Sequence, residues 1–278
     1  MSRRVKILLV WLVLIAGWEA GFRIIGWKPW LFPAPSHVLD AMLHLLSIQT
    51  NFGDPTGPGW PFRSVADNVS HLTVTLPTAL ITSGVRLAVG FLISLFLGGM
   101  LGLLMWRFPF VDALLGPLFL GLQTLPSICW VPLAVLVIGI NESSIVFVLI
   151  MGSFFAIAIA LRDGLRQTPP IYKKAALMLG GRRFRLYYHV LLPAAMPAAA
   201  SSLRQGFAFA WRSLMGGELV FMLPRRGVGF LLNVGREFGD VAQVVAVMCI
   251  MVAIGMMADR LIFARLELRI RTRFGLIA

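Results

Sequence analysis

The sequence predicts an all-α membrane protein, a polytopic bundle of about six transmembrane helices. Of its 278 residues, 58% are hydrophobic and only 13% are charged. Soluble domains carry about 25% charged and about 45–50% apolar residues. The composition therefore argues against a water-soluble enzyme, and it excludes a disordered chain, which would need low hydrophobicity. The placement of 25 Lys and Arg against 12 Asp and Glu, a net charge of +13, is the observation that sets the topology.

Six apolar runs have roughly the 20-residue length that a helix needs to cross a bilayer. They cover approximately residues 7–26, 71–106, 114–139, 144–161, 196–221 and 241–263. The first run follows Arg3, Arg4 and Lys6 and has the features of a signal peptide. Because further apolar runs follow it, we expect a retained signal-anchor helix.

The second run is too long for one simple span and contains Arg86 as its one charge. As a helix it would reach about 54 Å, against about 30 Å of hydrocarbon. Pro77 and Gly84 are candidate break points. Residues 71–86 are therefore interpreted as a helical lead-in on the outer side, followed by one span.

The basic residues favour this single span over two. With the N-terminus inside, sixteen of the 25 basic residues fall in cytoplasmic segments and six fall outside. Splitting the second run would place a loop with seven cations outside, against the positive-inside rule. The sequence thus predicts six spans with both termini cytoplasmic. Residues 1–70 would hold the first helix and an external loop, which includes an amphipathic helix over 36–46 with Ser36 as its N-cap. Residues 71–278 would form a five-helix core.

The longest cytoplasmic segment, residues 162–195, carries a short predicted helix over 172–179 that Gly180 ends. Ala175 and Ala176 are small enough to let another surface approach closely. By residue type alone, this segment is either a docking element for a soluble partner or a basic loop that only fixes topology.

The spacing in this segment resembles the EAA loop of ABC-importer permeases. That pattern is Glu-Ala-Ala, three residues, Gly, nine residues and Ile-x-Leu-Pro. Here Ala175, Ala176, Gly180 and the terminal Leu192-Pro193 fall in register, whereas Lys174 stands where the family has Glu. Residues 31–39, 121–142 and 218–230 are similar to the nitrate/sulfonate/taurine branch of the same family, so the resemblance covers roughly residues 30–270.

The resemblance implies a type I ABC-importer permease fold. It also implies a homodimer that works with two ATPase subunits and an external solute-binding protein and imports a small anion of the sulfonate, taurine, nitrate or bicarbonate class. The residues expected to couple to the ATPase combine the motif positions with exposed neighbours: Tyr172, Lys174, Ala175, Ala176, Gly180, Arg182 and Pro193.

The chain lacks the GxxxxGK[ST] loop that cradles ATP, and none of its four lysines follows such glycines. It also lacks a recognisable catalytic or metal-binding set. We therefore expect no enzyme activity and no cofactor in this chain, with ATP-Mg bound by the partner ATPase.

Six polar residues in the predicted spans are candidates for the translocation path: Gln123, Thr124, Ser127, Arg204, Arg212 and Glu218. The first three lie at a proline-spaced break in the third span and could instead bond neighbouring helices. The two arginines, eight residues apart, could line an anion path or pair with carboxylates. Glu218 is expected to pair with one of them, and Glu142 is interpreted as a solvated turn residue.

Two other functions stay open at this point. A secondary transporter or channel without an ATPase would need an internal ion-coupling site, and few carboxylates lie at membrane depth. A membrane-embedded enzyme would need a catalytic constellation, which we do not find.

Overall fold

The computed structural model describes residues 3–28, 31–46, 76–167, 192–221, 223 and 225–273, together with positions 171, 174, 177 and 178. Every regular element in these ranges is a helix, so the all-α prediction is confirmed. The helices are α1 Arg3–Ile25, α2 Pro35–Leu46, α3 Leu76–Arg107, α4 Pro109–Thr124, α5 Trp130–Ile138, α6 Glu142–Arg166, α7 Leu192–Val220, α8 Val228–Glu237, α9 Val241–Ala258 and α10 Ala264–Arg273. A 3₁₀ turn, Ser127–Cys129, precedes α5, and a π-helical segment, Asp259–Phe263, joins α9 to α10.

Helices occupy all six apolar runs of the sequence. Among the described residues, three are long and apolar enough to cross a membrane: α3, α6 and the continuous stretch Val241–Ile270. Helix α4 and the helical stretch Ser127–Ile138 together meet the same criterion. Counting them as one span gives up to four spans among the described residues. The two helices meet at a bend of 98°. The membrane-bundle fold is thus confirmed, while the count of six spans stays a prediction.

The second run forms one uninterrupted helix from residue 76 onward. A break at Gly84 is wrong, because Gly84 lies inside the helix without interrupting it. Pro77 is helical, but it lies next to the edge of the described residues, so a break there stays a prediction. The 32 residues of α3 extend about 48 Å, well beyond the hydrocarbon thickness.

The third run breaks close to the proline that the sequence indicated. Helix α4 ends at Thr124, residues 125 and 126 are extended, and Pro126 precedes the 3₁₀ turn. Pro117 is accommodated within α4. At the far end of α5, Gly139 has a φ of 89°, which L-residues with side chains seldom adopt.

Helix α6 begins with a capped turn. The Oδ1 atom of Asn141 accepts a hydrogen bond from the Ser144 backbone N–H at 3.1 Å, and Ser144 Oγ donates to the Gly139 carbonyl oxygen.

Two glycines let α3 and α6 pack at backbone distance. A Cβ atom on Gly98 would lie 2.6 Å from the Phe154 carbonyl oxygen, and one on Gly102 would lie 2.7 Å from the Ala158 carbonyl oxygen. Ser153 Oγ donates to Ser94 Oγ at 2.8 Å between the same helices. This is the small-residue packing that replaces hydrophobic association inside a membrane.

The chain divides into two compact units, Met1–Ser83 with Pro224–Ala253, and Gly84–Leu223 with Ile254–Ala278. In the first unit, α2 begins one residue before Ser36, and Ser36 Oγ donates to Glu19 Oε1 at 3.3 Å. Ser36 is therefore an inter-helix contact, and its prediction as an N-cap is wrong. The predicted division at residue 70 stays a prediction. The second unit contains the features described below.

Candidate functional site: a bent span, two ion-pair clusters and an exposed segment

The bend after α4 brings small side chains from three helices together. Ser127 lies in the 3₁₀ turn, Gly152 in the middle of α6, and Ser213 in α7. A Cβ atom on Gly152 would lie 1.9 Å from Ser213 Oγ and 3.1 Å from Ser127 Cβ. Ser127 Oγ would also lie 3.7 Å from a Cβ atom on Gly216. The bend is thus held close to α6 and α7 because Gly152 has no side chain. We call Ser127, Gly152, Ser213 and Gly216 the bend cluster.

The predicted polar residues beside the bend have different surroundings. Gln123 Oε1 is buried and has no hydrogen-bond partner among the described residues. Thr124 Oγ1 donates to the Gly121 carbonyl oxygen of its own helix at 2.6 Å. Gln123 therefore retains an unused acceptor, whereas the Thr124 hydroxyl is engaged locally. The sequence located this patch through its prolines. It did not identify Gly152 and Ser213, because only the fold brings α6 and α7 to the bend.

The first ion-pair cluster centres on Arg86. Its Nε and Nη2 atoms each donate to the carboxylate of Glu142 at 2.8 Å, and its Nη1 atom donates to Glu218 Oε1 at 2.8 Å. The side chains of Arg86 and Glu218 are 6% and 1% exposed, and that of Glu142 is 41% exposed. The cluster ties together α3, the first turn of α6 and the last turn of α7.

Two sequence-based interpretations are corrected by this cluster. Among the described ion pairs, Glu218 is joined to Arg86, where we expected Arg204 or Arg212, and Glu142 is an ion-pair partner of Arg86 instead of a purely solvated turn residue. The signal available in the sequence was Arg86 itself, the one charge in a 36-residue apolar run, since a charge at such depth requires partners.

The second cluster centres on Arg204. Its Nε and Nη2 atoms donate to the two carboxylate oxygens of Asp259 at 2.6 and 2.7 Å, and its Nη1 atom donates to Glu267 Oε2 at 3.3 Å. Asp259 opens the π-helical segment, and such segments shift the side chains that follow. Of the two alternatives for Arg204, pairing with carboxylates is the one observed.

Arg212 differs from Arg204. Both are exposed, but the guanidinium carbon of Arg212 lies 5.2 Å from the centre of the Phe209 ring. Arg212 directly precedes Ser213 of the bend cluster. Among the described residues it forms no ion pair with a carboxylate.

The predicted coupling residues fall mostly outside the described residues, as Tyr172, Ala175, Ala176, Gly180 and Arg182 do. Lys174 is helical and exposed, and Pro193 is the second residue of α7. Three large apolar side chains around Lys174 are also exposed: Ile171, Leu177 and Met178. Exposed apolar side chains grouped in this way are typical of a protein contact.

Comparisons with known proteins agree with this architecture. Residues 90–272, about two thirds of the chain, match the family described as binding-protein-dependent transport system inner membrane component. A protein of Methanocaldococcus jannaschii named as an ABC transporter permease is 32% identical over 84% of this chain and 79% of its own length.

Two further relatives are named for their solutes. The nitrate import permease protein of Synechocystis sp. is 27% identical over 64% of each chain. The bicarbonate transport system permease protein of Synechococcus elongatus is 29% identical over 66% of this chain and 65% of its own. The matched region thus spans slightly less than two thirds of these two relatives.

These matches favour the permease of an ABC importer over a self-contained secondary transporter or channel. Such a component is not itself catalytic, and the apolar helices agree with a multi-pass protein of the inner membrane. On its family match and its relatives, the chain belongs to the inner membrane components of binding-protein-dependent transport systems.

Proposed function

We propose that this chain forms the translocation pathway of an ATP-driven importer for a small anion of the sulfonate, taurine, nitrate or bicarbonate class. A partner ATPase binds and hydrolyses ATP-Mg, and an external binding protein delivers the solute. The relatives named for nitrate and bicarbonate support the substrate class. The lack of a phosphate-binding loop in this sequence supports a separate ATPase.

The observation that carries the pathway is the bend cluster. A broken helix inside a membrane is tolerated where it is buried in protein or lines a water-filled cavity. Here the 98° bend leaves Ser127 beside Ser213 and leaves the Gln123 acceptor unused. We infer that the Ser127 and Ser213 hydroxyls and the Gln123 side-chain NH₂ line the narrow part of the path, where they can donate to an anion, while Gln123 Oε1 accepts from water. Thr124 lies next to them.

The charged residues of α7 have different roles in this proposal. Arg212 is exposed and adjoins the bend cluster, so it attracts the anion. Arg204 and Glu218 are held in ion pairs, and we assign them to shaping the wall of the path.

The segment around Lys174 is proposed as the ATPase contact, in agreement with the match to the EAA spacing. Its exposed Ile171, Leu177 and Met178 would be covered by the ATPase. Lys174 in place of the family Glu calls for an acidic partner on the ATPase. This arrangement requires both termini to be cytoplasmic, and a pathway built from two copies of the chain.

Reconstitution tests the function directly. The purified chain is placed in liposomes with the ATPase and the secreted binding protein that we expect to be encoded beside it, and uptake of labelled nitrate, bicarbonate and taurine is followed. We expect uptake of one of these solutes only when ATP and both partners are present. Uptake by the chain alone would contradict the proposal and favour the secondary transporter.

A further inference from the structure

A basic face on the last helix has no role in the function proposed above. Arg265 and Arg269 are four residues apart on α10, so they lie on one side of the helix. Both side chains are exposed. Within the part of the chain that the structure describes, neither forms an ion pair. We call these two residues the basic face.

The opposite side of α10 is fixed to α7. Glu267 accepts hydrogen bonds from Arg204 Nη1 at 3.3 Å and from Ser201 Oγ at 3.4 Å. Since each residue advances a helix by about 100°, Glu267 points about 160° away from both Arg265 and Arg269. The contacts of Glu267 therefore turn the basic face away from α7.

The basic face continues an apolar surface. Met257, Leu261 and Ile262 are 56%, 47% and 57% exposed, as expected of side chains that contact lipid tails. Along the helix, Arg265 lies about 4.5 Å and Arg269 about 10 Å beyond Ile262. The headgroup layer on each side of a bilayer is about 5–7 Å thick. With Ile262 at the edge of the hydrocarbon and the helix near the bilayer normal, Arg265 lies within this layer and the long Arg269 side chain can extend back into it.

We propose that Arg265 and Arg269 bind the phosphate groups of anionic phospholipids at the membrane surface. Guanidinium groups bind phosphate through paired hydrogen bonds, and basic clusters directly after a membrane helix favour anionic lipid. The continuity with the lipid-facing side chains favours lipid over a soluble protein as the partner. A purely topological role would need the charges during insertion only, and it predicts no lipid preference in the purified protein.

Native mass spectrometry of the full-length purified chain tests this surface. Dioleoyl phosphatidylglycerol or dioleoyl phosphatidylcholine is titrated into the detergent-solubilised protein, and the bound lipids are counted. We expect a preference for phosphatidylglycerol. Arg265→Gln and Arg269→Gln should each weaken phosphatidylglycerol binding about fivefold, and the double variant about thirtyfold, with no change for phosphatidylcholine. The double Lys variant should retain most of the preference, because the charges remain.

Arg236→Gln is the matched control, since Arg236 is an exposed arginine on α8 that is distant in sequence from the basic face. Unchanged phosphatidylglycerol binding in the double Gln variant would overturn the proposal. So would equal weakening by Arg236→Gln, which would indicate a general charge effect. If the double Gln variant loses the ATPase subunit in co-purification and keeps its lipid preference, the basic face is a protein contact and the proposal fails. Circular dichroism of each variant excludes misfolding as the cause.

Discussion

Arg86 Nη1 donates a hydrogen bond to Glu218 Oε1 at 2.8 Å, although the two residues are 132 positions apart and both side chains are almost fully buried. Arg86 also donates two hydrogen bonds to the carboxylate of Glu142. Removing one partner of a buried ion pair leaves the other charge buried at a high cost in free energy, so Arg86 and Glu218 stabilise the fold as a pair. The cluster therefore joins α3 to α6 and α7, the two helices that contact the bend.

Removing the cation should be more damaging than removing the whole buried pair. Arg86→Met leaves Glu218 buried and without its arginine, and we expect it to lower the free energy of unfolding by about 3–5 kcal/mol. In the double variant Arg86→Met/Glu218→Met, both charges of the buried pair are gone, so part of the loss should be recovered. Thermal unfolding of the purified protein in detergent measures the stability of the single and the double variant. A double variant that is less stable than Arg86→Met would contradict the charge argument.

The close approach of α3 and α6 can be tested with neighbouring glycines. Gly98→Ala places a Cβ atom 2.6 Å from the Phe154 carbonyl oxygen and should destabilise the protein by about 1–3 kcal/mol. Gly99→Ala is the matched control, because a Cβ atom there meets nothing within 4 Å. It should leave the unfolding temperature unchanged or raise it slightly. If the two substitutions change the stability equally, helix propensity, and not packing between α3 and α6, determines the effect.

The bend cluster predicts a specific rescue. In Gly152→Ala the new methyl group would overlap Ser213 Oγ of α7 and crowd Ser127 Cβ of the bend, so α6, α7 and the bend cannot keep their spacing, and import should fall at least tenfold. Adding Ser213→Gly removes both atoms that the methyl group meets in residue 213, and import should recover at least partly. Uptake in the reconstituted importer is the measurement. Gly121→Ala, where a Cβ atom meets nothing within 4 Å, is the control and should be silent.

Arg212 should affect transport without affecting stability. Its side chain is exposed and its described contact is the Phe209 ring, so Arg212→Gln should change the free energy of unfolding by less than about 1 kcal/mol. If it attracts the anion, uptake at low solute concentration should drop several-fold, more strongly at low salt than at high salt. Arg212→Lys should retain most of the uptake. Normal uptake by Arg212→Gln would remove this residue from the pathway.

Lys174 tests the match to the EAA spacing. If the ATPase carries an acidic partner, Lys174→Glu should reduce solute-stimulated ATP hydrolysis, and an acid-to-lysine change on the ATPase should restore it. Stimulation that is equal in Lys174 and Lys174→Glu would show that this contact is dispensable.

Several features were accessible from the sequence because they follow from local composition. The apolar runs predicted helices at all six places, and Pro126 marked the break in the third run. Gly98 and Gly102 have the spacing of close helix packing. The EAA-like spacing and the segments similar to the nitrate/sulfonate/taurine branch gave the family, which the match over residues 90–272 confirms.

The partners of the charged residues could not be read from the sequence. Arg204 and Glu218 are fourteen residues apart on one helix, yet each pairs with residues on other helices. Helical spacing gives the face on which a charge lies but not the helix that packs against it. For the same reason, the sequence did not predict the roles of Gly152 and Ser213, which lie at the bend because α6 and α7 pack there.

The sequence by itself therefore determined that this protein lies in a membrane, where its helices are and to which family it belongs. Hydrophobicity and motif spacing are properties of continuous segments. Only the tertiary structure decided which carboxylates pair with Arg86, which glycine makes room for the bend, and which side of the last helix contacts α7. These features depend on contacts between segments far apart in the chain, and such contacts are fixed by packing.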